Sequence, residues 1–254
     1  MSDVLLTERR GAVLVITLNR PEAKNAVNAA AARAMNEAMD LLDETDELFA
    51  GVITGAAGAF CAGADLKEAA SGGRRGRLPR GGFGIMVRPS RKPLIAAVEG
   101  PAVGGGLELC LSCDLIVAAR DARLGLPEVR HNVVAVGGGL FRLPRRMPYH
   151  LAMELALTGE LRTAEYFERY GLVNRLVAPG TALEEAVSWA QALLANGPTA
   201  LAASKEIIFS SSEWTEAEAW SGQIPIAEAA LASEDRTEGL RAFAEKRRPV
   251  WKGR

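Results

Sequence analysis

The sequence predicts an α/β core followed by a helical C-terminal region, on three observations. Short apolar runs bounded by glycine alternate with helical patterns as far as about Pro144, the signature of α/β crossover units and not of a meander. Beyond Pro144 the pattern is almost wholly helical. No tandem repeat at a fixed period runs through either part.

In chain order, Val4–Glu8 and Val13–Leu18 flank a turn at Arg9–Gly11 and read as a hairpin. Asn19-Arg20-Pro21 breaks the second strand, and Asn28 is placed to cap an alanine-rich helix running to about Thr45. Gly51–Thr54 is a short apolar run, as expected of a strand buried on both faces. A glycine-rich turn leads from it into a helix at about Asp65–Glu68. Pro93–Val98 is the next buried strand, Gly104-Gly105-Gly106 opens a helix through Leu107–Cys113, and Asp114–Ala118 is a further strand. Helices are then expected over Tyr149–Leu157, Thr163–Tyr170, Ala182–Ala195, Thr199–Ser210 and Thr215–Leu231, which divides the chain into a core at 1–195 and a helical region at 196–254. Ser71–Gly82 is a run of arginines and glycines that lacks the apolar residues to bury itself. It reads as a mobile surface loop, with a lid over a binding site as the alternative.

Composition narrows the function classes. At 254 residues, 48% hydrophobic and 24% charged, the chain suits one large soluble domain with at most a small appendage. Thirty Lys and Arg against thirty-one Asp and Glu leave a net charge of -1, which gives no electrostatic case for a nucleic-acid partner. The basic stretch Lys246–Arg254 suits a phosphate-bearing ligand as well as it suits a solvated terminus. Three cysteines do not make a disulfide framework and fit a reducing cytoplasm. Cys110 and Cys113 have C-x-x-C spacing, but no second pair follows and neither His131 nor His150 is spaced as in a finger. They read as two small helix-core residues, and no metal site is expected. No stretch approaches the length of a membrane span, and Glu8, Arg9 and Arg10 come too early for a signal peptide.

Two strand–glycine–helix junctions carry the candidate chemistry: Gly55–Asp65 and Gly100–Glu108. Small residues permit close backbone approach, and a helix start presents unpaired N–H groups. If the two junctions converge, they aim two donors at one carbonyl oxygen and form an oxyanion hole. On physics alone, packing of helix against strand is the simpler account of both. Neither junction has the Gly-Lys-Ser/Thr ending of a phosphate loop or a dinucleotide fingerprint. Glu108 lies just inside the second helix and Glu128 follows Leu126-Pro127. Taken singly, each is a carboxylate placed favourably at a helix start.

The ordered series changes that balance. Asn19-Arg20-Pro21…Asn25-Ala26, Ala59–Glu68, Lys92–Gly100, Ala102–Leu109, Cys113-Asp114, Leu126-Pro127-Glu128 and Leu157-Thr158-Gly159 together resemble the crotonase (enoyl-CoA hydratase/isomerase) superfamily along essentially the whole chain. The resemblance implies a crotonase-like ββα spiral core with a C-terminal helical region that forms a homotrimer or a dimer of trimers. It implies a hydratase acting on an acyl-CoA thioester, the chemistry of fatty-acid β-oxidation, with coenzyme A as part of the substrate and no separate cofactor. Backbone N–H groups at Ala64 and Gly105 match the positions that bind the thioester oxygen, and Glu108 and Glu128 match the hydratases' acid/base pair. Ala62, Asp65 and Leu66 match the stretch lining the adenine and pantetheine site. Phe243 and Lys246 match the C-terminal helix that reaches coenzyme A, often from a neighbouring subunit. One segment departs from the pattern: Val134–Pro144 lacks the Pro-Gly-Ala-Gly-Gly of many hydratases, which puts the acyl pocket in question. Its Gly-Gly-Leu-Phe-Arg-Leu-Pro ending is similar to carnitine-type (crotonobetainyl-CoA) hydratases. A crotonobetainyl-CoA hydratase, an isomerase, decarboxylase or thioester hydrolase of the same superfamily, and a non-catalytic acyl-CoA binder are the alternatives. Arg74–Arg80 falls where the family's variable lid lies.

Overall fold

The computed structural model describes residues 4–71 and 77–254. Its strands are β1 (Leu5–Arg10), β2 (Val13–Leu18), β3 (Ala50–Gly55), β4 (Leu94–Val98), β5 (Pro101–Val103), β6 (Leu115–Ala119), β7 (Arg123–Gly125), β8 (Arg162–Thr163) and β9 (Arg175–Val177). Its helices are α1 (Ala29–Glu44), α2 (Leu66–Ala70), α3 (Gly105–Cys110), α4 (Gly139–Arg146), α5 (Tyr149–Thr158), α6 (Ala164–Arg169), α7 (Ala182–Leu193), α8 (Pro198–Ser211), α9 (Glu216–Leu231) and α10 (Glu234–Ala244). The main sheet runs β1-β2-β3-β4-β6-β9, with the β1–β2 hairpin antiparallel and every other pair parallel. A smaller sheet runs β5-β7-β8.

Both faces of the main sheet are covered, which is why β3, β4 and β6 read as unbroken apolar runs. On β2 the side chains alternate between two cores. Leu14, Ile16 and Leu18 pack with Met35, Met39 and Leu42 of α1, while Val13 and Val15 pack with Ala182, Ala186 and Ala190 of α7. α1 starts where Asn28 Oδ1 accepts the Ala31 N–H at 2.9 Å, and its buried Ala31, Ala32, Met35, Ala38, Met39 and Leu42 form one helical stripe.

The structure departs from the sequence reading at several elements. The region after Pro144 is not wholly helical, because β8 and β9 lie within it and β9 completes the main sheet at Val117↔Arg175. Strands of two or three residues are too short to show a period, so β5, β7, β8 and β9 left no signal. Thr163, expected at the start of a helix, is a strand residue that precedes α6. α3 ends at Cys110, with Leu111–Cys113 in the turn beyond it. α4 was hidden by a glycine start and by Pro144 inside it, both locally unfavourable to a helix. Burial of Leu143 and Arg142 overrides them.

The arginine–glycine run needs the largest correction. Residues 72–76 lie outside the described residues, but Arg80 is not solvated. It is 3% exposed, with Nε 2.7 Å from Asp40 Oδ1 and Nη2 2.7 Å from Asp43 Oδ2, and it also donates to the Arg88 and Pro89 carbonyls. Burial alone would raise the Asp43 carboxyl, but Ser90, Arg80 and the Arg91 N–H together hold it below its ordinary value. A charge with these partners is buried because its acceptors come from α1, which local composition does not reveal. Replacing Arg80 takes the cation away from the buried Asp43 carboxylate and from the more exposed Asp40, so Arg80→Met is expected to destabilise the fold by about 3–5 kcal/mol. Urea unfolding measures this as a lowered midpoint at unchanged slope, and Arg80→Met on the wild-type curve would remove the pair from the account.

The C-terminal helices pack differently. α8 and α9 contact each other and bury no residue completely, and α8 is tied to the core by Lys205 Nζ, 2.7 Å from Asp114 Oδ2. α10 is capped by Ser233, and its buried Asp235 accepts the Lys252 and Gly253 N–H groups, fixing the chain end.

Candidate active site

The first glycine junction is held from behind by the Asn19–Ala26 segment. Asn25 Nδ2 donates to the carbonyls of Ala56 at 2.9 Å and Ala59 at 2.6 Å. Arg20 Nη1 donates to the Ala26 carbonyl at 2.6 Å and to Asp65 Oδ2 at 2.9 Å. Asp65 Oδ1 accepts the Lys67 and Glu68 N–H groups, so this carboxylate caps α2.

The two junctions converge. Val103 N–H donates to the Cys61 carbonyl at 2.9 Å and Cys61 N–H to the Pro101 carbonyl at 2.9 Å. A Cβ placed on Gly63, whose φ is +92°, would lie 2.8 Å from the Val103 carbonyl oxygen and 3.1 Å from the Gly105 nitrogen. A Cβ on Gly106 would lie 2.1 Å from the Cys61 oxygen, so glycine is required for the two backbones to touch. The Ala64 and Gly105 N–H groups have no hydrogen-bond partner among the described residues. Both flank a cavity of about 530 Å³ whose wall includes Ala62, Ala64, Leu66, Gly105, Glu108 and Glu128.

Glu108 and Glu128 meet at this cavity in different environments. Glu108, on α3, is 4% exposed and its Oε1 accepts the Gly139 N–H at 2.9 Å. Burial raises its carboxyl, while the Gly139 and Gly137 N–H groups and the charge of Arg142 oppose the rise. Glu128 lies in the 3₁₀ turn Pro127–His131, and its buried Oε2 has no partner among the described residues. Burial raises Glu128 too, and the Glu108 charge adds to it. Two glycines make room for the pair. A Cβ on Gly104 would lie 2.9 Å from Glu128 Oε1, and one on Gly137 would lie 2.5 Å from Glu108 Oε2. The shifted glycines of Val134–Pro144 are therefore seated on Glu108.

Of the other residues singled out, Asp65 faces Arg20 and α2, outside the cavity wall. Phe243, on α10, and Lys246, just beyond it, are exposed and do not line the cavity of their own chain. Cys61, Cys110 and Cys113 are buried and free, and burial pushes all three thiols up. Among the described residues, no group of three or more His, Cys, Asp or Glu is placed to hold a metal ion, and no helix is long and apolar enough to cross a membrane. Arg77 and Leu78 reach the cavity wall, as do Phe83, Met86 and His131, which sequence reasoning did not single out. A second cavity of about 330 Å³ adjoins the first. It shares Glu128 and Val133–Ala135 with it and is otherwise lined largely by aliphatic side chains such as Leu126, Leu140, Leu143 and Leu157.

Comparison with known proteins agrees with this geometry. Residues 8–254 match the family described as enoyl-CoA hydratase/isomerase. The chain is 40% identical to enoyl-CoA hydratase EchA19 of Mycobacterium tuberculosis, over 98% of this chain and 96% of that one. It is 42% identical to carnitinyl-CoA dehydratase of Salmonella typhi, over 100% of both. The crystal structure of an enoyl-CoA hydratase from Mycobacterium tuberculosis H37Rv superposes with a TM-score of 0.95 at 50% identity, over 100% of both chains.

Proposed function

Because the chain belongs to the enoyl-CoA hydratase/isomerase family, we propose that it is an enoyl-CoA hydratase, a hydro-lyase, with Glu108 and Glu128 as its acid/base pair. The observation that carries the assignment of residues is the convergence of two unpartnered N–H groups beside two carboxyl groups in one cavity. The thioester oxygen accepts from Ala64 and Gly105. As the water oxygen bonds to the β-carbon, the π pair moves toward the α-carbon and the thioester oxygen gains charge. Each fixed donor contributes roughly 3–4 kcal/mol there without reorganising. Glu108 takes one proton of the water, and Glu128 gives its proton to the α-carbon. The proton gained by Glu108 equals the one lost by Glu128, so one transfer between them, or exchange with solvent, restores the resting pair.

Similarity to carnitinyl-CoA dehydratases favours a second reading, with a trimethylammonium-bearing acyl group. The cavity walls support an uncharged acyl chain instead. Quaternary ammonium groups are held by aromatic cages, and among the described residues the second cavity offers a single aromatic, Tyr149, among aliphatic walls. Loss of the enoyl-thioester absorbance is therefore expected with crotonyl-CoA and longer straight-chain 2-enoyl-CoAs. Crotonobetainyl-CoA is expected to be about tenfold or more poorer in kcat/KM, because its cation would be desolvated among aliphatic walls with one aromatic ring in place of a cage. Preference for crotonobetainyl-CoA would reverse the choice of acyl group, and tight binding of all thioesters without turnover would make the protein a binder.

The remaining parts follow from the same membership. The substrate's nucleotide phosphates suit Lys246, which has no ion pair among the described residues, while Arg247 and Lys252 are taken up by Glu238 and Glu234. The break between α7 and α8 supports a division near residue 195, and exposed Trp220 and Ile224 on α9 and Phe243 on α10 support a homotrimer, or dimer of trimers, built on the helical region. That arrangement would bring Phe243 and Lys246 to a neighbour's coenzyme A. Three buried free thiols suit a reducing cytoplasm.

A further inference from the structure

We propose that Arg142 is a positioning residue for hydration, whose buried guanidinium braces the glycine turn and the helix turn that hold Glu108 and favours Glu108 over Glu128 as the group that takes the proton of water. This rests on the two-glutamate reading above and deepens it. Arg142 lies on α4, only 8% exposed, directly behind the Gly137-Gly138-Gly139 turn that holds Glu108. Its Nη1 would be 3.1 Å from a Cβ on Gly138, and Gly139 N–H donates to Glu108 Oε1. The guanidinium donates to neutral acceptors: Nη1 to Ser112 Oγ at 2.9 Å and Nη2 to the Met86 carbonyl at 2.6 Å. Ser112 Oγ in turn donates to the Glu108 carbonyl at 2.9 Å, which ties the cation to the helix turn that carries Glu108.

No carboxylate pairs with Arg142 among the described residues, so its charge is left for an acid in the same low-dielectric wall. That acid is Glu108, on which Arg142 acts as a favourable charge. Glu128 receives no such cation. Among the described residues the one charge acting on it is the unfavourable one of Glu108, its own backbone N–H is the one opposing influence, and its buried Oε2 has no partner, a setting that suits a protonated carboxyl. Among the described residues, the other titratable groups around Glu108 are Arg146 on α4, Cys110 and Cys113 on the α3 side, and Arg77 and His131 on the cavity wall. The thiols are held neutral by burial. Arg146 is directed to the Leu111 carbonyl, and Arg77 and His131 are exposed to solvent screening.

The test is the pH dependence of kcat/KM for crotonyl-CoA hydration in wild type, Arg142→Met and Arg142→Lys. The acid limb reports protonation of the base. In Arg142→Met it is expected to move up by about one pH unit, giving about a tenfold loss below the limb and recovery above it. Arg142→Lys, which keeps the charge but cannot serve both acceptors, is expected to retain the wild-type limb. A uniform loss in Arg142→Met with an unmoved limb would reduce Arg142 to a packing role. Should Arg142→Met fail to fold, a shifted limb in Arg142→Lys overturns the proposal. So does isotope-edited infrared titration of the wild type, assigned by difference against Glu108→Gln, if Glu128 ionises before Glu108. Wild-type turnover in both Glu108→Gln and Glu128→Gln would instead remove the two-glutamate reading itself.

Discussion

Glu108→Gln and Glu128→Gln are each expected to lower kcat for crotonyl-CoA hydration by about 10²–10⁴-fold, the usual contribution of one positioned acid or base. Both carboxyls line the same cavity, so neither substitution should abolish binding, and KM is expected to change far less than kcat. The two variants should differ in stability. The Glu108 carboxylate accepts from the Gly139 and Gly137 N–H groups, and glutamine keeps only one of those two acceptors. Glu128 has a buried oxygen without a partner, so removing its charge relieves a cost. The sign follows from the raised carboxyl: the folded state holds a proton that the unfolded chain has released. Stability therefore falls as pH rises from the ordinary glutamate value through the raised one. Above that window Glu128→Gln is expected to unfold at a higher temperature than wild type, while losing activity. Thermal unfolding at neutral and alkaline pH, beside steady-state kinetics, separates these outcomes. A double variant only as slow as either single variant would show that the pair works as a unit. Turnover within a few-fold of wild type in both singles would end the two-glutamate mechanism.

Much of this site was legible because its parts are coded by local chemistry. Gly104–Gly106 and Gly63 announce close backbone approach, and Asn28 announces the start of α1. The ordered series from Asn19 to Gly159 joined them into one resemblance, and the structure gives its first piece a physical role: Asn25 and Arg20 clamp the loop that carries Ala64. What stayed hidden depends on contacts between distant segments. Arg80 looks like one more arginine in a soluble loop, and only Asp40 and Asp43 on α1 make it a buried cation. Arg142 sits in the basic stretch Arg142–Arg146, where nothing local separates a buried guanidinium from a solvated one. Its acceptors, Ser112 and Met86, come from elsewhere in the chain. Phe243 and Lys246 illustrate the converse. The resemblance marks them, yet within one chain they do not line the cavity, so any part they play depends on a neighbouring copy.

Gly63→Ala is expected to damage catalysis by a single methyl, with kcat down about 10²–10³-fold, the cost of misplacing one oxyanion donor. At a φ of +92° the alanine is strained, and its Cβ would sit 2.8 Å from the Val103 oxygen and 3.1 Å from the Gly105 nitrogen. Both are backbone atoms, so relief comes only by moving the two junctions apart, and the proposed oxyanion hole of Ala64 and Gly105 depends on that separation. Backbone strain alone would cost about 1–3 kcal/mol of stability and leave the chemistry intact. Gly171→Ala isolates that term, because Gly171 has a φ of +76° with nothing within 4 Å of a Cβ. Gly63→Ala is thus expected to lose more stability in urea than Gly171→Ala, because its clash adds to the strain, and only Gly63→Ala loses kcat. Equal kcat in the two would show that the donors tolerate the displacement. Their role would then be one of binding the substrate carbonyl equally in the ground and transition states, read as a change in KM at constant kcat.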